Sequence, residues 1–395
     1  MKNASTFGRA GCGSCAHSAG GAAQTATQAI ASKMRRMSRH PIPRRPALVL
    51  AALIGLAGAA GADVGVTDGP KGVVVNPRTG KAYAAFPDLG IVKIVTGVAG
   101  PVVALKTGAN VKDLTLDPRT GRVYAMNRGP GTISVIDPDT DAIVDTLKAD
   151  RGSLTALNPL TNKLYVSAST GTDPSVIDLA TKGSTTIRAG TEGNALSVDA
   201  AANAIYFIGY EDPFVTVVDG ATNEPARIAV PGVHQWESAL DGGRGRLYVP
   251  SPNDDAVTVI DTRTRAVSTI GTGKAPMAAA VNEVTNRVYV VNYGSSDVTV
   301  IDGATNRAIA TVPVGLWPQQ IAIDTRANRI YVVNTHAGSV SVIDGRTNTV
   351  AATVPADKGP WAVAVDPVTH TAYVANRLSD KVTVIDGRTN RAVQR

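Results

Sequence analysis

Arg287-Val288-Tyr289-Val290-Val291-Asn292, followed by Val298-Thr299-Val300-Ile301-Asp302-Gly303-Ala304-Thr305-Asn306, is one copy of a pattern that runs along most of the chain. Its tyrosine recurs as Tyr83, Tyr124, Tyr165, Tyr206, Tyr248, Tyr289, Tyr331 and Tyr373, at intervals of 41 or 42 residues. An aspartate follows 13 residues later in all but the first copy: Asp137, Asp178, Asp219, Asp261, Asp302, Asp344 and Asp386. A fixed period near 40, filled with short β-branched runs and turn residues, specifies a β-repeat architecture. Each unit reads as four antiparallel strands, a to d. In the unit of Tyr289 these are Ala278–Val281, Arg287–Val291, Val298–Ile301 and Ala308–Val314. That is one blade of an all-β propeller.

The turns carry much of the specification. Strand a ends in Asn76-Pro77-Arg78-Thr79-Gly80, Asp117-Pro118-Arg119-Thr120-Gly121 and six further versions, the last being Asp366-Pro367-Val368-Thr369-His370. Asp or Asn at the first position bonds backbone amides two residues on, and proline presets φ at the second. The fifth position is always Gly, Asn or His, which tolerate a left-handed backbone. The repeated aspartates read as turn-formers on the same logic. The tyrosines, in strand b, read as core rings between blades with the hydroxyl at an edge. Strand a is alanine-rich because blades converge at the axis.

Eight tyrosine units in about 330 residues predict eight blades, with seven as the alternative. The last unit ends at Arg391-Ala392-Val393-Gln394-Arg395, which reads as the start of strand d. Val64-Gly65-Val66 is expected to pair with that blade and close the ring.

The tetrapeptides Tyr289-Val290-Val291-Asn292, Tyr331-Val332-Val333-Asn334 and Tyr373-Val374-Ala375-Asn376 resemble the Tyr-Val-Thr-Asn signature of YVTN-repeat (YncE-like) β-propellers. The Val-x-Val-Ile-Asp strand and the Thr-Asn-Arg turns match it too. The likeness covers roughly residues 64–390. Unit 1 departs, with Phe86 and Thr96 in place of the asparagine and aspartate, and units 3 and 4 are degraded around Ser167 and Ile208. The resemblance implies a secreted or periplasmic propeller and transfers no catalytic residue.

The chain has 39 lysines and arginines against 32 acids. Eight of those bases and no acid lie in residues 1–62, so the remainder is nearly neutral, with 31 bases against 32 acids. Nucleic-acid binding is therefore disfavoured and survives only as a second alternative. Arg35, Arg36, Arg39, Arg44 and Arg45 precede the apolar run Ala47–Ala60 and the Ala60-Gly61-Ala62 site. This reads as a signal peptide over 34–62, with 1–33 an extension ahead of a start at Met34 or Met37, and a propeller over 63–395. No transmembrane segment is expected after cleavage, and the expected location is periplasmic or secreted. Cys12 and Cys15 form a lone C-x-x-C with no second ligand pair.

One rim carries the a–b and c–d turns and is dotted with arginine: Arg78, Arg119, Arg122, Arg246, Arg287, Arg307, Arg329, Arg346 and Arg388. These arginines are expected to pair weakly with the turn aspartates. The other rim carries the variable d–a and b–c loops, with Trp236, Trp317, Trp361, Tyr210 and Tyr293. Five residues before each strand-a turn residue stand Lys71, Lys112, Ser153, Asn194, Trp236, Met277, Gln319 and Trp361, a ring expected at the channel mouth. Lys71, Lys112, Asn194, Trp236, Gln319, Trp361, Trp317 and Tyr293 are thus the candidate ligand-binding residues. An aromatic plane beside two cations suits an anionic or sugar-like ligand, or an acidic loop of a partner protein.

No catalytic residue, cofactor or metal is assigned. His234, His336 and His370 are the only histidines after Ala62, and no spacing resembles a zinc or copper site. Asn110, Asp113, Glu192, Asn194 and Glu237 could offer oxygens to a calcium ion as in lactonase-type propellers. The reading is a non-catalytic propeller binding an unidentified protein or small molecule. The alternative is a metal-dependent propeller hydrolase or lyase with its site at the channel mouth.

Overall fold

The computed structural model describes residues 72–395, apart from 150–151, 169–172, 192, 194, 233–236 and 377 and the side chain of Lys112. The leader, Cys12 and Cys15, the segment Val64–Val66, Lys71, Glu192, Asn194, His234 and Trp236 lie outside the described residues. What is described folds into eight four-stranded antiparallel sheets, each built from four consecutive strands. None of the described residues is helical.

Among the described residues there are eight cores, each between one blade and the next, and none at the centre. The core holding Val75, Ala82, Phe86, Tyr373, Val382 and Val384 joins blade 8 to blade 1, so the ring is closed. Strand a of blade 8, Pro360–Asp366, packs on strand a of blade 1, Val73–Asn76.

Each tyrosine lies in the core between its own blade and the following one. Seven are essentially inaccessible and Tyr124 is 5 % exposed. The strand-a residue opposite is small in nearly every blade: Val74, Thr115, Ala156, Ser197, Ala239, Ala280, Ala322 and Ala364. Alanine in strand a therefore answers two constraints, the crowding at the axis and the ring across the strand. The Tyr373 hydroxyl donates to Gly80 O (3.1 Å) and accepts from Gly97 N (2.9 Å), both in blade 1.

The asparagine three residues after the tyrosine also has a structural use. Asn127, Asn292, Asn334 and Asn376 are buried, and each Nδ2 donates to a hydroxyl seven residues on: Ser134 (2.9 Å), Thr299 (2.8 Å), Ser341 (2.9 Å) and Thr383 (3.0 Å). Blade 1 substitutes the pair as a unit: Lys93 Nζ sits 4.7 Å over the Phe86 ring.

At the fifth turn position all eight residues have positive φ, from Gly80 at 67° to His370 at 62°. The aspartates cap their own turns. Asp302 Oδ1 accepts from Ala304 N (2.8 Å) and Thr305 N (3.0 Å). The threonine amide three residues on holds Asp137, Asp178, Asp219, Asp261 and Asp302 below the ordinary carboxylate range.

In blade 8 the chain's own last residues form the outer strand. Arg391–Gln394 pairs with strand c, and Arg395 exchanges two 2.8 Å backbone bonds with Val382. The closing role expected of Val64–Val66 falls on residues outside those described.

Candidate functional site

The lower rim, made of a–b and c–d turns, spends its polar groups on itself. Asn158 Nδ2 donates to Asn203 Oδ1 in the next blade (2.8 Å), and Asn282 Nδ2 to Asn328 Oδ1 (2.8 Å). His370 Nδ1 lies 2.7 Å from the buried Asp324 carboxylate. Lys81 Nζ reaches Pro138 O (2.8 Å) and Asp141 (2.8 Å), Lys163 Nζ reaches Gly220 O (2.7 Å), and Arg246 reaches Gly303 O. Arg119, Arg287 and Arg346 pair with Asp117, Asp302 and Asp344. A depression of about 410 Å³ lies on this rim between blades 4, 5 and 6, beside Ser197, Asp199, Gly242 and Glu283. Its buried acid, Asp199, is already a turn cap, accepting from Ala202 N (3.0 Å).

The upper rim differs. Strand a of blades 2, 6, 7 and 8 enters the sheet through a β-bulge, and the extra residue is Lys112, Met277, Gln319 or Trp361. These are members of the ring counted from the sequence. A bulge re-aims the side chains that follow it. The position one residue further holds Gly72, Asp113, Leu154, Ala195, Glu237, Ala278, Gln320 and Ala362 from blade 1 to blade 8. Small or apolar residues fill five blades; Asp113, Glu237 and Gln320 are the polar members.

These three reach beyond their own blades. Asp113 Oδ2 accepts from Thr155 N (2.8 Å) and Thr155 Oγ1 (3.2 Å) of blade 3. The Glu237 backbone carbonyl accepts from Ala279 N of blade 6 (3.3 Å). Its carboxylate accepts from the Gln320 amide of blade 7, across the small side chain of Ala278. Water reaches more than a third of Glu237, while the surrounding protein desolvates its carboxylate.

Enclosure raises both acids. Desolvation lifts Asp113 to about 6, against the opposing hydrogen bonds of Thr155 and Leu114. Desolvation, then the nearby negative charge of Asp113, lifts Glu237 to about 7. The two carboxyls therefore share one electrostatic environment.

The loops of this rim also carry an aromatic cluster. The Trp317 ring centroid is 5.5 Å from that of Tyr293 and 4.5 Å from that of His336, with interplanar angles of 30° and 39°. Trp317 has φ +53°, at a loop position where blades 2 and 8 use Asn110 (60°) and Gly359 (63°). A bulky residue there carries backbone strain of about 1–3 kcal/mol. Burial pushes the Tyr293 hydroxyl up to about 12.

Of the sequence-derived candidates, Trp317 and Tyr293 come together, joined by His336. Gln319 is 7 % exposed, and its Oε1 has no hydrogen-bond partner. Trp361 is half-buried. Lys112 is placed by its backbone at a bulge; Lys71, Asn194 and Trp236 lie outside the described residues. Asp113 and Glu237, considered for calcium, hold equivalent positions in blades 2 and 5. Asn110 is engaged in the loop itself, its amide donating to Pro87 O (3.1 Å) and its carbonyl accepting from Arg128 N (3.0 Å). Glu192 is outside the described residues. Among the described residues no three His, Cys, Asp or Glu side chains group together as a metal site would require.

A scan of known protein families finds no match for this chain, and no curated protein matches it. Among solved structures, Kuenenia stuttgartiensis hydrazine synthase is similar, with a TM-score of 0.55 and 17 % identity over 84 % of this chain and 98 % of that one. At that identity the likeness is one of fold.

Proposed function

We propose that this chain is a secreted or periplasmic YVTN-type propeller that acts as a non-catalytic binding scaffold, taking a ligand or partner protein at the upper mouth of its channel. One observation carries the reading. The repeated polar residues are used in turns and blade-to-blade links, whereas Asp113, Glu237, Gln320 and the Trp317 cluster depart from the repeat and gather on one rim. The Tyr-x-x-Asn and turn signatures support the YVTN assignment. The basic stretch Arg35–Arg45, the apolar run and Ala60-Gly61-Ala62 support secretion. A mature protein beginning at Asp63 by mass spectrometry is expected; an intact leader in the exported fraction would contradict it.

The binding site is tested without knowing the ligand. In a fragment screen followed by methyl NMR, binders should shift the methyls of Met277, at the blade 6 bulge, and of Ala275 in the loop before it. Shifts confined to Ala202 and Ala327, in the lower turns, would overturn the assignment. The second reading, a hydrolase or lyase, is favoured by the two enclosed carboxyls, whose raised pKa values suit proton transfer near neutrality. It requires an activity lost in both Asp113→Asn and Glu237→Gln.

A further inference from the structure

The first residue of the a–b turn is a buried aspartate in five blades: Asp117, Asp199, Asp241, Asp324 and Asp366. In each, Oδ1 accepts from a backbone amide of its own turn. In four of them Oδ2 also takes a side-chain donor: Thr120 Oγ1 (2.9 Å) at Asp117, Arg244 Nη1 (3.2 Å) at Asp241, His370 Nδ1 (2.7 Å) at Asp324 and Thr369 Oγ1 (2.7 Å) at Asp366. These donors come from the fourth turn position or from the fifth position of the next blade. At Asp199 those two positions hold Ala202 and Gly245. Among the described residues nothing donates to Asp199 Oδ2, although the residue is only 4 % exposed. A buried carboxylate oxygen without a donor is destabilising, and a ligand bringing an N–H relieves that cost.

Asp199 lines the depression of about 410 Å³ between blades 4, 5 and 6. The depression exists because two neighbouring turns carry small residues. Where blades 1, 2 and 7 have Arg78, Arg119 and Arg326 at the third turn position, blades 4 and 5 have Ala201 and Gly243. A Cβ on Gly242 would lie 3.7 Å from Asp199 Oδ1, so the bare turn of blade 5 stands directly against this acid. Val198 and Leu240 add aliphatic surface, Glu283 adds a second, exposed carboxylate, and none of the lining residues is basic. Blade 2 displays what fits such a turn. Arg119 Nε lies 3.4 Å from Asp117 Oδ1, and its Nη2 donates to Asn162 Oδ1 of the next blade (2.9 Å). We infer that the depression accepts an arginine side chain presented by another protein, in the place that Arg119 fills from within in blade 2. The guanidinium donates to Asp199 Oδ2 and reaches toward Glu283, while its stem covers Val198 and Leu240. No blade places lysine at the third turn position. The free amino acid fits less well, because no lining cation meets its α-carboxylate. This site is separate from the one proposed on the upper rim.

The test is an NMR titration of the full chain, read on the methyls of Ala200 and Ala201. The probes are Nα-acetyl-arginine methylamide, its neutral citrulline counterpart, Nα-acetyl-lysine methylamide and L-arginine. The arginine derivative is expected to shift both methyls and to bind roughly tenfold or more tightly than the citrulline compound. Asp199→Asn should weaken it roughly tenfold. Blades 1, 3 and 6 already use asparagine at this position, so the turn should persist. Ala202→Thr, which copies Thr120 and Thr369, should supply a donor to Oδ2 from within: the melting temperature rises by about 1–3 °C and arginine affinity falls. Citrulline or lysine derivatives binding as tightly as arginine, or unchanged affinity in Asp199→Asn, would overturn the inference. So would L-arginine binding tenfold more tightly than the capped residue, which would make the ligand an amino acid. Shifts at Met277 and Ala275 with none at Ala200 and Ala201 would remove this site and leave the upper-rim reading standing.

Discussion

The two rims of this propeller are made by one repeat and put it to opposite uses. On the lower rim the same turn recurs in eight copies, and its departure at the last blade comes with a partner. His370 takes the fifth turn position where most blades have Gly or Asn, and it faces the buried Asp324. On the upper rim the loops themselves diverge from blade to blade. Trp317 occupies a left-handed position, Gln319 buries an oxygen with no donor, and two acids face one channel. Compensated variation is the mark of structure conserved by packing. Uncompensated variation gathered in one place is the mark of a site that a visitor completes.

The sharpest way to break this contrast is a pair of tyrosine truncations. Tyr289→Ala empties a core between blades 6 and 7 and should cost about 3–5 kcal/mol. Tyr293→Ala, four residues on but at the mouth, should cost about 1 kcal/mol or less. Thermal or denaturant melts check this, and equal losses would erase the distinction.

Comparing a regular blade with a degraded one gives a smaller effect. Thr299 Oγ1 accepts from Asn292 and from Gly273 N, so Thr299→Val should cost about 1–3 kcal/mol. Its counterpart Thr216 in blade 4 has a buried hydroxyl with no partner, because Gly209 stands where the asparagine would be. Thr216→Val should therefore be neutral or stabilising by melt.

On the lower rim, His370→Ala loses the link to Asp324 and places alanine at positive φ. It should cost about 1–2 kcal/mol. His370→Gly keeps the backbone relaxed and should recover part of that loss in the same melts.

The smallest effect is on pH dependence. Asp113 and Glu237 have folded pKa values above their ordinary ones, about 6 and about 7. Between about pH 4 and 7 the folded state thus holds more protons than the unfolded state, and stability falls as pH rises through that window. Asp113→Asn combined with Glu237→Gln removes this slope. Water reaches Glu237, which screens the effect, so above about pH 7 the double variant should melt only about 2 °C higher than the parent. Below about pH 4 the two should coincide, and a variant that melts lower throughout would contradict the assigned shifts.

Much of this molecule was legible as sequence. The tyrosine period gave eight blades, and the fifth turn residues gave eight left-handed positions, because turn chemistry and packing act locally and repeat. The rim carrying variation was legible for the same reason. That four members of the counted ring, Lys112, Met277, Gln319 and Trp361, sit at β-bulges could not be read, because a bulge depends on how strand a registers with strand b. The pairing of Glu237 with Gln320 could not be read, because it spans 83 residues and two blades. A repeat alignment that asked which channel-facing positions depart from Gly or Ala would have singled out Asp113, Glu237 and Gln320 together.

The central claim is that the upper rim, where the blades depart from the repeat, is where this propeller receives its ligand. A crystallographic fragment screen of the full chain tests it most directly. The account predicts fragments bound on the upper rim, beside Glu237 and Gln320 or the Trp317 cluster. Fragments seated only among the lower turns would contradict it.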